Sequence, residues 1–166
     1  MVAAPFTIRP AELGDCPAIN DIYNHYVHTD TCTYQTEPET LEAREAWLAR
    51  HGREHPVLVL EVAGELLGWG SLSPFHPRAA YRHSVEDSLY VRADAQRRGY
   101  GTALLKALLK AAREHGHHTV IALISADKTE SIALHERFGF TQASLLREVG
   151  YKFNRWLDVA FLQILL

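Results

Sequence analysis

The segment from Val91 to Thr102 constrains the fold of this chain more than any other segment. It joins a β-rich run, Ser84–Val91, to the clearest helical pattern, Gly101–His115, in which leucines recur on one side. Gly99 and Gly101 allow the backbone to turn tightly and to approach a ligand closely. The first amides of a helix have no internal partners, so they attract an anion. The segment therefore predicts a strand–loop–helix unit that binds a diphosphate.

The residues around these glycines narrow the kind of anion site. Arg97 and Arg98 add positive charge beside the loop. The G-x-x-x-x-G-K-[ST] spacing of a P-loop is missing. A dinucleotide-binding loop needs a third glycine three residues after Gly101, where this chain has Leu104. A basic loop that only connects a strand to a helix remains the alternative.

Hydrophobic periodicity predicts mostly strands, with helices before and between them. The turn Ala63-Gly64-Glu65 predicts a hairpin, and one mixed α/β domain is expected over residues 1–166. The predicted strands are Phe6–Arg9, Val57–Val62, Leu66–Leu72, Ser84–Val91, Thr119–Ile124, Ser144–Tyr151 and Trp156–Leu165. The predicted helices are one that Asp15 caps and that runs through Val27, then Thr40–Arg50, whose Glu and Arg side chains should face water, Gly101–His115 and Thr129–Phe138.

Composition excludes several classes of protein. A formal net charge of −3 gives no basic face for DNA or RNA, and no apolar run is long enough to span a membrane. The first residues, Met1 to Pro5, lack the charged start and long apolar run of a signal peptide, so a cytoplasmic location is expected. Two cysteines, Cys16 and Cys32, are too few for a disulfide framework and are expected to be reduced.

The sequence contains 10 histidines, so a metal site has to be considered. His25 and His28 are three residues apart on one predicted helix, and three more histidines cluster between His115 and His118. Neither group has Cys or Glu partners at a recognised ligand spacing. We therefore expect no metal.

Two blocks of sequence resemble the GNAT acetyltransferase superfamily. Gln96-Arg97-Arg98-Gly99-Tyr100-Gly101 is similar to the Q/R-x-x-G-x-G/A signature of the family, and Ser131–Phe140 resembles the helix after the next strand. A narrower resemblance covers almost the whole chain and points to the phosphinothricin and methionine sulfoximine or sulfone N-acetyltransferase branch. It rests on Ile22–Asn24, Gly68–Gly70, Arg78–Tyr81, Val85–Val91, Leu134–Glu136, Gly150–Lys152 and Trp156–Val159.

The resemblance implies a fold and a cosubstrate. The fold is the mixed α+β GNAT fold, with a central, mostly antiparallel, splayed sheet flanked by about four helices. The cosubstrate is acetyl-CoA, whose pyrophosphate the loop amides hold in this family. The residues implied in binding it are Leu89, Tyr90, Val91, Gln96, Arg97, Arg98, Gly99, Tyr100, Gly101, Thr102, Lys128 and Ser131. Members of the branch usually have Asn at position 128, so Lys128 must contact the pantetheine arm differently, leave it, or reach a phosphate.

Glu86 and His135 are the candidate catalytic residues. An ammonium group has no lone pair, so acetyl transfer to an amine needs a base. Glu86 stands mid-strand on the face opposite Leu89 and Val91. An exposed strand-face glutamate or a structural ion pair is the alternative to a catalytic role. His135 replaces the usual GNAT Tyr, and the resemblance implicates it in catalysis. The residues alone do not decide which of the two accepts the amine proton.

The resemblance also suggests where the acceptor binds. The loop from Phe75 to Tyr81 and the last strands should form its pocket, with Arg78 as a carboxylate clamp and Tyr151 or Lys152 as a closing residue. A backbone amide among Leu89 to Val91 should meet the oxyanion, without a covalent acyl-enzyme on either cysteine. Arg78 as a solvated loop charge is an equal alternative.

The acceptor implied by the resemblance is the primary amine of a small amino-acid-like molecule, with phosphinothricin, methionine sulfoximine and methionine sulfone as types. The alternatives are an acetyltransferase for peptides or proteins and a noncatalytic acyl-CoA sensor. Neither a nucleic acid nor a membrane is expected as a partner. A homodimer is expected, since homodimers are common in the branch and the C-terminal run from Phe161 to Leu166 is apolar.

Overall fold

The computed structural model describes residues 5–166 of the chain, and residues 1–4, on which most of the signal-peptide prediction depends, lie outside them. The strands are β1 (Phe6–Pro10), β2 (Val57–Val62), β3 (Glu65–Pro74), β4 (Ser84–Val91), β5 (Thr119–Ser125), β6 (Thr141–Lys152) and β7 (Arg155–Leu165). The helices are α1 (Cys16–Thr29), α2 (Leu41–Ala49), α3 (Tyr100–Glu114) and α4 (Thr129–Arg137).

The seven strands form one sheet in the order β1-β2-β3-β4-β5-β7-β6. Each neighbouring pair is antiparallel except β4 and β5, which are parallel. A parallel pair needs a long crossover, and α3 supplies it. The predicted mixed α/β GNAT fold, with a mostly antiparallel sheet and four helices, is confirmed.

The two faces of the sheet carry different helices. On one face, α3 buries its leucines against β2, β3 and β4, with Leu105 and Leu108 fully covered, and α4 packs beside it. On the other face, Ile19 and Ile22 of α1 pack with Trp69 of β3, and α2 lies next to α1. A fully buried leucine contributes about 1.5–3 kcal/mol, so the α3 face anchors the sheet.

Two tight hairpins set the register of the outer strands. Ala63 and Gly64 both have positive φ between β2 and β3, and Phe153 and Asn154 do so between β6 and β7. Two consecutive residues with positive φ are the mark of a type I′ turn, whose twist matches that of the paired strands. The predicted β2–β3 hairpin is therefore confirmed.

Several predicted details differ from the structure. The side chain of Asp15 does not cap α1, because it forms an ion pair with Arg9 at 2.7 Å. The helix predicted from Gly101 begins one residue earlier, at Tyr100. Arg44 of α2 does not face water: it is 4% exposed. Among the helices of residues 5–166, none combines the length and apolar character needed to cross a membrane.

Candidate active site

The second half of β4 has no neighbour on one side. β4 pairs with β5 only as far as Asp87, although it stays paired with β3 as far as Val91. The Arg92 amide continues the ladder to β3. Because main-chain groups alternate sides along a strand, the amides of Leu89 and Val91 face the gap. The sheet is thus splayed at β4, as the sequence predicted.

The loop that follows β4 presents a row of free amides. Two residues in the left-handed region, Arg97 with φ 61° and Gly99 with φ 84°, turn the chain into α3. Among residues 5–166, no hydrogen bond is donated by an amide of 96–102, and the first helical donor is Ala103, to the Gly99 carbonyl at 3.0 Å. Such amides at a helix start favour an anion.

These amides line a groove of about 540 Å³, here called the amide groove, which runs between the loop, β4 and α4. Nearly all residues predicted to bind the cofactor lie along it: Leu89, Tyr90, Val91, Gln96, Arg97, Gly99, Tyr100, Gly101, Thr102, Lys128 and Ser131. Arg98 is not among its lining residues, and its side chain donates to the Asp94 carbonyl at 3.1 Å.

One side-chain network that the sequence did not predict fixes the wall of the amide groove. Gln96 Nε2 donates to the Tyr26 hydroxyl at 2.7 Å, and that hydroxyl donates to the Val91 carbonyl. The network ties the loop and the end of β4 to α1. Burial raises the pKa of Tyr26 to about 12, so its hydroxyl keeps the proton that it donates.

Lys128 lies in the wall of the amide groove but is already paired. Its Nζ donates to Asp30 Oδ2 at 2.7 Å, and burial alone would lower the pKa of Lys128, but this bond raises it overall. The ion pair joins the start of α4 to the end of α1. The Asp30 ion pair favours a structural role for Lys128, and whether Lys128 also contacts the pantetheine arm or a phosphate stays a prediction.

A second cavity, here called the aromatic cavity, lies on the opposite face of β4 and has a volume of about 450 Å³. Rings from separate parts of the chain form its walls, and Trp69 packs at 4.9 Å from the ring of Tyr90 and 5.4 Å from that of Trp47. Tyr23 stacks edge-on against Tyr90 at 5.4 Å. The cavity therefore suits a small molecule with apolar surface.

Glu86 is the carboxylate of β4 that lines the aromatic cavity. Its side chain is half-buried and forms no ion pair within 4.0 Å in the described part of the chain. Burial raises the pKa of Glu86 above its ordinary value, and the neighbouring Asp87 adds to the rise. A carboxylate with a raised pKa is a stronger base, so this geometry suits proton abstraction.

Arg44 is the buried cation of the same cavity, whose lining also includes the exposed Arg50, and the sequence analysis predicted no role for Arg44. Its guanidinium lies 4.6 Å from the centre of the Tyr23 ring, 4.8 Å from that of Trp47 and 5.7 Å from that of Trp69. The available signal was its place three residues before Trp47, which puts both side chains on one face of α2.

The structure does not bring the predicted acceptor residues together with Glu86. Phe75 and Tyr81 pack on each other at 5.9 Å in the β3–β4 connection, where Arg78 is exposed. Tyr151 donates to Asn154 Oδ1 at 2.7 Å in the β6–β7 turn. None of these four side chains lines the aromatic cavity, and their role in acceptor binding stays a prediction.

The segment between α1 and α2 covers the aromatic cavity and is firmly held. The Tyr34 hydroxyl donates to the Asp158 carbonyl at 3.0 Å and lies within hydrogen-bond distance of Ser125 Oγ, at 3.1 Å. Lys152 is buried and donates to the Thr33 carbonyl at 2.8 Å. Lys152, considered earlier as a closing residue, thus fixes the cover through main-chain contacts and does not line the cavity.

A small cavity of about 70 Å³, here called the junction, adjoins both larger cavities. Cys32 and Tyr90 line all three, so the amide groove and the aromatic cavity meet at the edge of β4. Burial raises the pKa of the Cys32 thiol to about 12. The thiol is therefore protonated and a poor nucleophile.

His135 lies at the junction and forms a buried pair with Asp87. Its Nδ1 lies 2.7 Å from the Ser131 carbonyl and its Nε2 lies 3.0 Å from Asp87 Oδ2. Since a carbonyl and a carboxylate both accept, each nitrogen carries a proton. Burial lowers the pKa of His135, but the Asp87 hydrogen bond and charge raise it overall. His135 is 3% exposed, and its two acceptor contacts favour the imidazolium form.

The site offers three chemical elements: an anion cradle, a desolvated base, and a protonated histidine where the cavities meet. Residues 5–166 contain no cluster of three His, Cys, Asp or Glu side chains arranged to hold a metal ion. Free amides beside Arg97 suit a diphosphate, and the narrow passage to Glu86 suits an extended arm. The arrangement suits transfer of a group from a diphosphate-bearing donor to an acceptor beside Glu86.

Comparison with known proteins supports a group-transfer reaction at this site. Residues 19–140 match the acetyltransferase (GNAT) family. The chain is 40% identical to the L-methionine sulfoximine/L-methionine sulfone acetyltransferase of Pseudomonas aeruginosa over 160 residues, which cover 95% of this chain and 93% of that protein.

Solved structures are also similar. A phosphinothricin acetyltransferase from Sinorhizobium meliloti in complex with AcCoA has a TM-score of 0.94 and 34% identity, covering 100% of this chain and 89% of that one. A ribosomal-protein-alanine N-acetyltransferase from Brucella melitensis has a TM-score of 0.94 and 42% identity, and the match covers 96% of this chain and 99% of that one. The present chain belongs to the GNAT family and is an N-acetyltransferase.

Proposed function

We propose that this enzyme transfers the acetyl group of acetyl-CoA to the primary amine of a small amino-acid-like acceptor, of the methionine sulfoximine, methionine sulfone or phosphinothricin type. The observation that carries the proposal is the position of Glu86, a half-buried carboxylate in a cavity that meets the amide groove at the junction. The relative from Pseudomonas aeruginosa, whose name states such acceptors, supports the choice of substrate class.

The amide groove fits acetyl-CoA. The free amides of 96–102 and the guanidinium of Arg97 would hold the pyrophosphate, and the gap beside β4 would receive the pantetheine arm. When bound, acetyl-CoA supplies an electrophilic thioester carbonyl. The Leu89 amide faces the gap and would donate a hydrogen bond to the carbonyl oxygen, where negative charge develops.

Glu86 acts as the base in this proposal. It removes a proton from the acceptor ammonium, directly or through water, and the free amine then attacks the thioester carbon. The new C–N bond forms as the C–S bond breaks, so the acetyl group moves in one ternary complex. The half-buried thiol of Cys32, whose pKa is raised, supports direct transfer without an acyl-cysteine.

His135 supplies the proton that the departing thiolate takes up. The Asp87 contact favours the protonated imidazolium, and both residues line the junction. Proton transfer through Nε2 leaves a neutral ring that still donates from Nδ1 to the Ser131 carbonyl. Glu86 as base and His135 as acid divide the two roles that the sequence left open.

The last hairpin supports the proposal of a homodimer. Its two strands and turn expose large apolar side chains, and Trp156 is 60% exposed. Large apolar side chains exposed close together are typical of protein interfaces. The residues concerned are Leu145, Leu146, Val149, Tyr151, Phe153 and Trp156. An equilibrium sedimentation run would show a monomer if this patch is not an interface.

Thiol release from acetyl-CoA tests the proposed function. The panel contains methionine sulfone, methionine sulfoximine, phosphinothricin, ordinary amino acids, polyamines and an alanine-terminated peptide. We expect the highest kcat/KM with the first three. The Brucella structure, named for a ribosomal protein alanine, makes peptide acetylation the second candidate, and preference for the peptide would establish it. Acetyl-CoA binding without any turnover would identify a sensor instead.

A further inference from the structure

Arg44 is an unusual side chain for the wall of a small-molecule cavity. It extends from α2 into the aromatic cavity and is 4% exposed, less than any other arginine of residues 5–166. Three aromatic rings surround its guanidinium. Long charged side chains are rarely buried unless they are paired. Its environment therefore calls for a partner.

The hydrogen bonds of Arg44 leave its outer edge free. Nε donates to Asn20 Oδ1 at 3.2 Å. The two terminal nitrogens donate to no group in the described part of the chain, and no carboxylate lies within 4.0 Å of them. Glu39 also lines the cavity and its negative charge raises the pKa of Arg44, but its carboxylate accepts from Gln35 Nε2 at 3.0 Å.

Burial makes this free edge a strong anion receptor. Desolvation lowers the pKa of Arg44, which shows that the folded protein stabilises the charge incompletely. The aromatic rings offset part of this cost through cation–π contacts. A planar guanidinium binds a carboxylate or phosphinate through two parallel hydrogen bonds, and such a bond is strongest where water is excluded.

We propose that the terminal nitrogens of Arg44 bind the anionic group of the acceptor inside the aromatic cavity, while Glu86 receives its amine. The inference rests on the proposed function and assigns anion recognition to Arg44 of α2, whereas Arg78 lies exposed outside this cavity. The ligand is thus an amine that carries an oxyanion. That oxyanion is either the α-carboxylate or a side-chain phosphinate.

Matched acceptors and two variants test the proposal. The acceptors are methionine sulfone, its carboxamide, phosphinothricin and its carboxamide, and the variants are Arg44→Gln and Arg44→Lys. For the wild type we expect each acid to bind more tightly than its amide when the α-carboxylate is the ligand of Arg44. Arg44→Gln should then raise KM for the acids about tenfold or more, with kcat changed less than about threefold, because one charged hydrogen-bonded pair is lost.

The two sources of the oxyanion give different patterns. If the α-carboxylate is bound, Arg44→Gln weakens both acids and neither amide. If the phosphinate is bound, it weakens phosphinothricin and its carboxamide alike, and leaves methionine sulfone unchanged. Equal weakening of all four acceptors, or none, would overturn the proposal. Arg44→Lys keeps the positive charge but cannot form the two parallel hydrogen bonds of a guanidinium. It should therefore recover part of the preference for the anionic acceptors.

Binding measured by calorimetry separates this inference from the proposed function. Calorimetry needs no turnover. The ratio of the dissociation constants of two ligands for one variant does not depend on the fraction of that variant that is folded. An acid preference that disappears in Arg44→Gln supports the inference even if no acceptor is acetylated. Rapid turnover with unchanged affinity ratios among all four acceptors in both variants would overturn the inference and leave the proposed function intact.

Discussion

The amide groove and the aromatic cavity are built in opposite ways. The groove is mainly backbone: its free amides come from 96–102, one uninterrupted stretch. The aromatic cavity is formed mainly by side chains, which come from elements such as α1, α2, β3 and β4 that are spread along the sequence. A backbone site depends on local conformation, whereas a side-chain site depends on the tertiary packing of several elements. The two should therefore respond separately to substitution.

The largest expected effect is on the chemistry beside the aromatic cavity. Glu86→Gln keeps the shape of the side chain but removes the base, so we expect kcat to fall about 100-fold, or about 2.7 kcal/mol of barrier. The dissociation constant of acetyl-CoA should stay the same, because the amide groove does not contain Glu86. Steady-state kinetics and direct cofactor titration measure the two quantities.

The pH dependence and stability of this variant provide its controls. Wild-type kcat/KM should rise with pH through the raised pKa of Glu86, and Glu86→Gln should lack that rise. A raised pKa in the folded state means that ionisation of Glu86 opposes folding as pH increases, so the variant should have an equal or higher Tm at neutral pH. A wild-type rate in the variant would remove Glu86 as the base.

A smaller effect is expected from the cover of the aromatic cavity. A Cβ at Gly150 would clash with the ring of Tyr34, which two hydrogen bonds hold in place. Gly150→Ala should destabilise the fold by about 1–3 kcal/mol and raise KM for the acceptor. Gly52→Ala is the control, because nothing lies near its Cβ. An altered acetyl-CoA affinity with unchanged acceptor KM would contradict the division between the two regions.

The smallest effect is expected in the amide groove. Gly99 has φ 84° and nothing within 4 Å of an added Cβ, so Gly99→Ala tests backbone conformation alone. The left-handed region costs a non-glycine residue about 1–2 kcal/mol, so KM for acetyl-CoA should rise several-fold while the acceptor KM is unchanged. Gly14→Ala, equally open but without positive φ, is its control. Equal effects on both substrates would show that the two sites are coupled.

The same contrast explains what the sequence could predict. The loop from Gln96 to Thr102 was recognisable because its glycines, its arginines and the helix after it are contiguous. The splay of β4 and the face on which Glu86 lies followed from the resemblance and from strand alternation. Local pattern was therefore sufficient for the mixed α/β fold and for most of the groove.

The aromatic cavity was not predictable in this way. Arg44 was expected to face water with the other charged side chains of its helix, but it packs against the ring of Trp69 and is buried. The partnership of Asp87 with His135 joins β4 to α4 across 48 residues, and no spacing rule identifies such a pair. Contacts between side chains that are far apart in the sequence leave no local sequence pattern from which they could be predicted.

The gap beside the second half of β4 has a consequence for the ligand-free enzyme. It is a strand edge in the interior of a sheet, and its donors at Leu89 and Val91 exchange with solvent until a ligand replaces the missing strand. Acetyl-CoA would thus act as a removable strand that slows hydrogen exchange at these two amides. At about 100 times its Kd it would also add about 2.7 kcal/mol to the free energy of unfolding. The stability of the folded enzyme would then rise and fall with the concentration of its own substrate, acetyl-CoA.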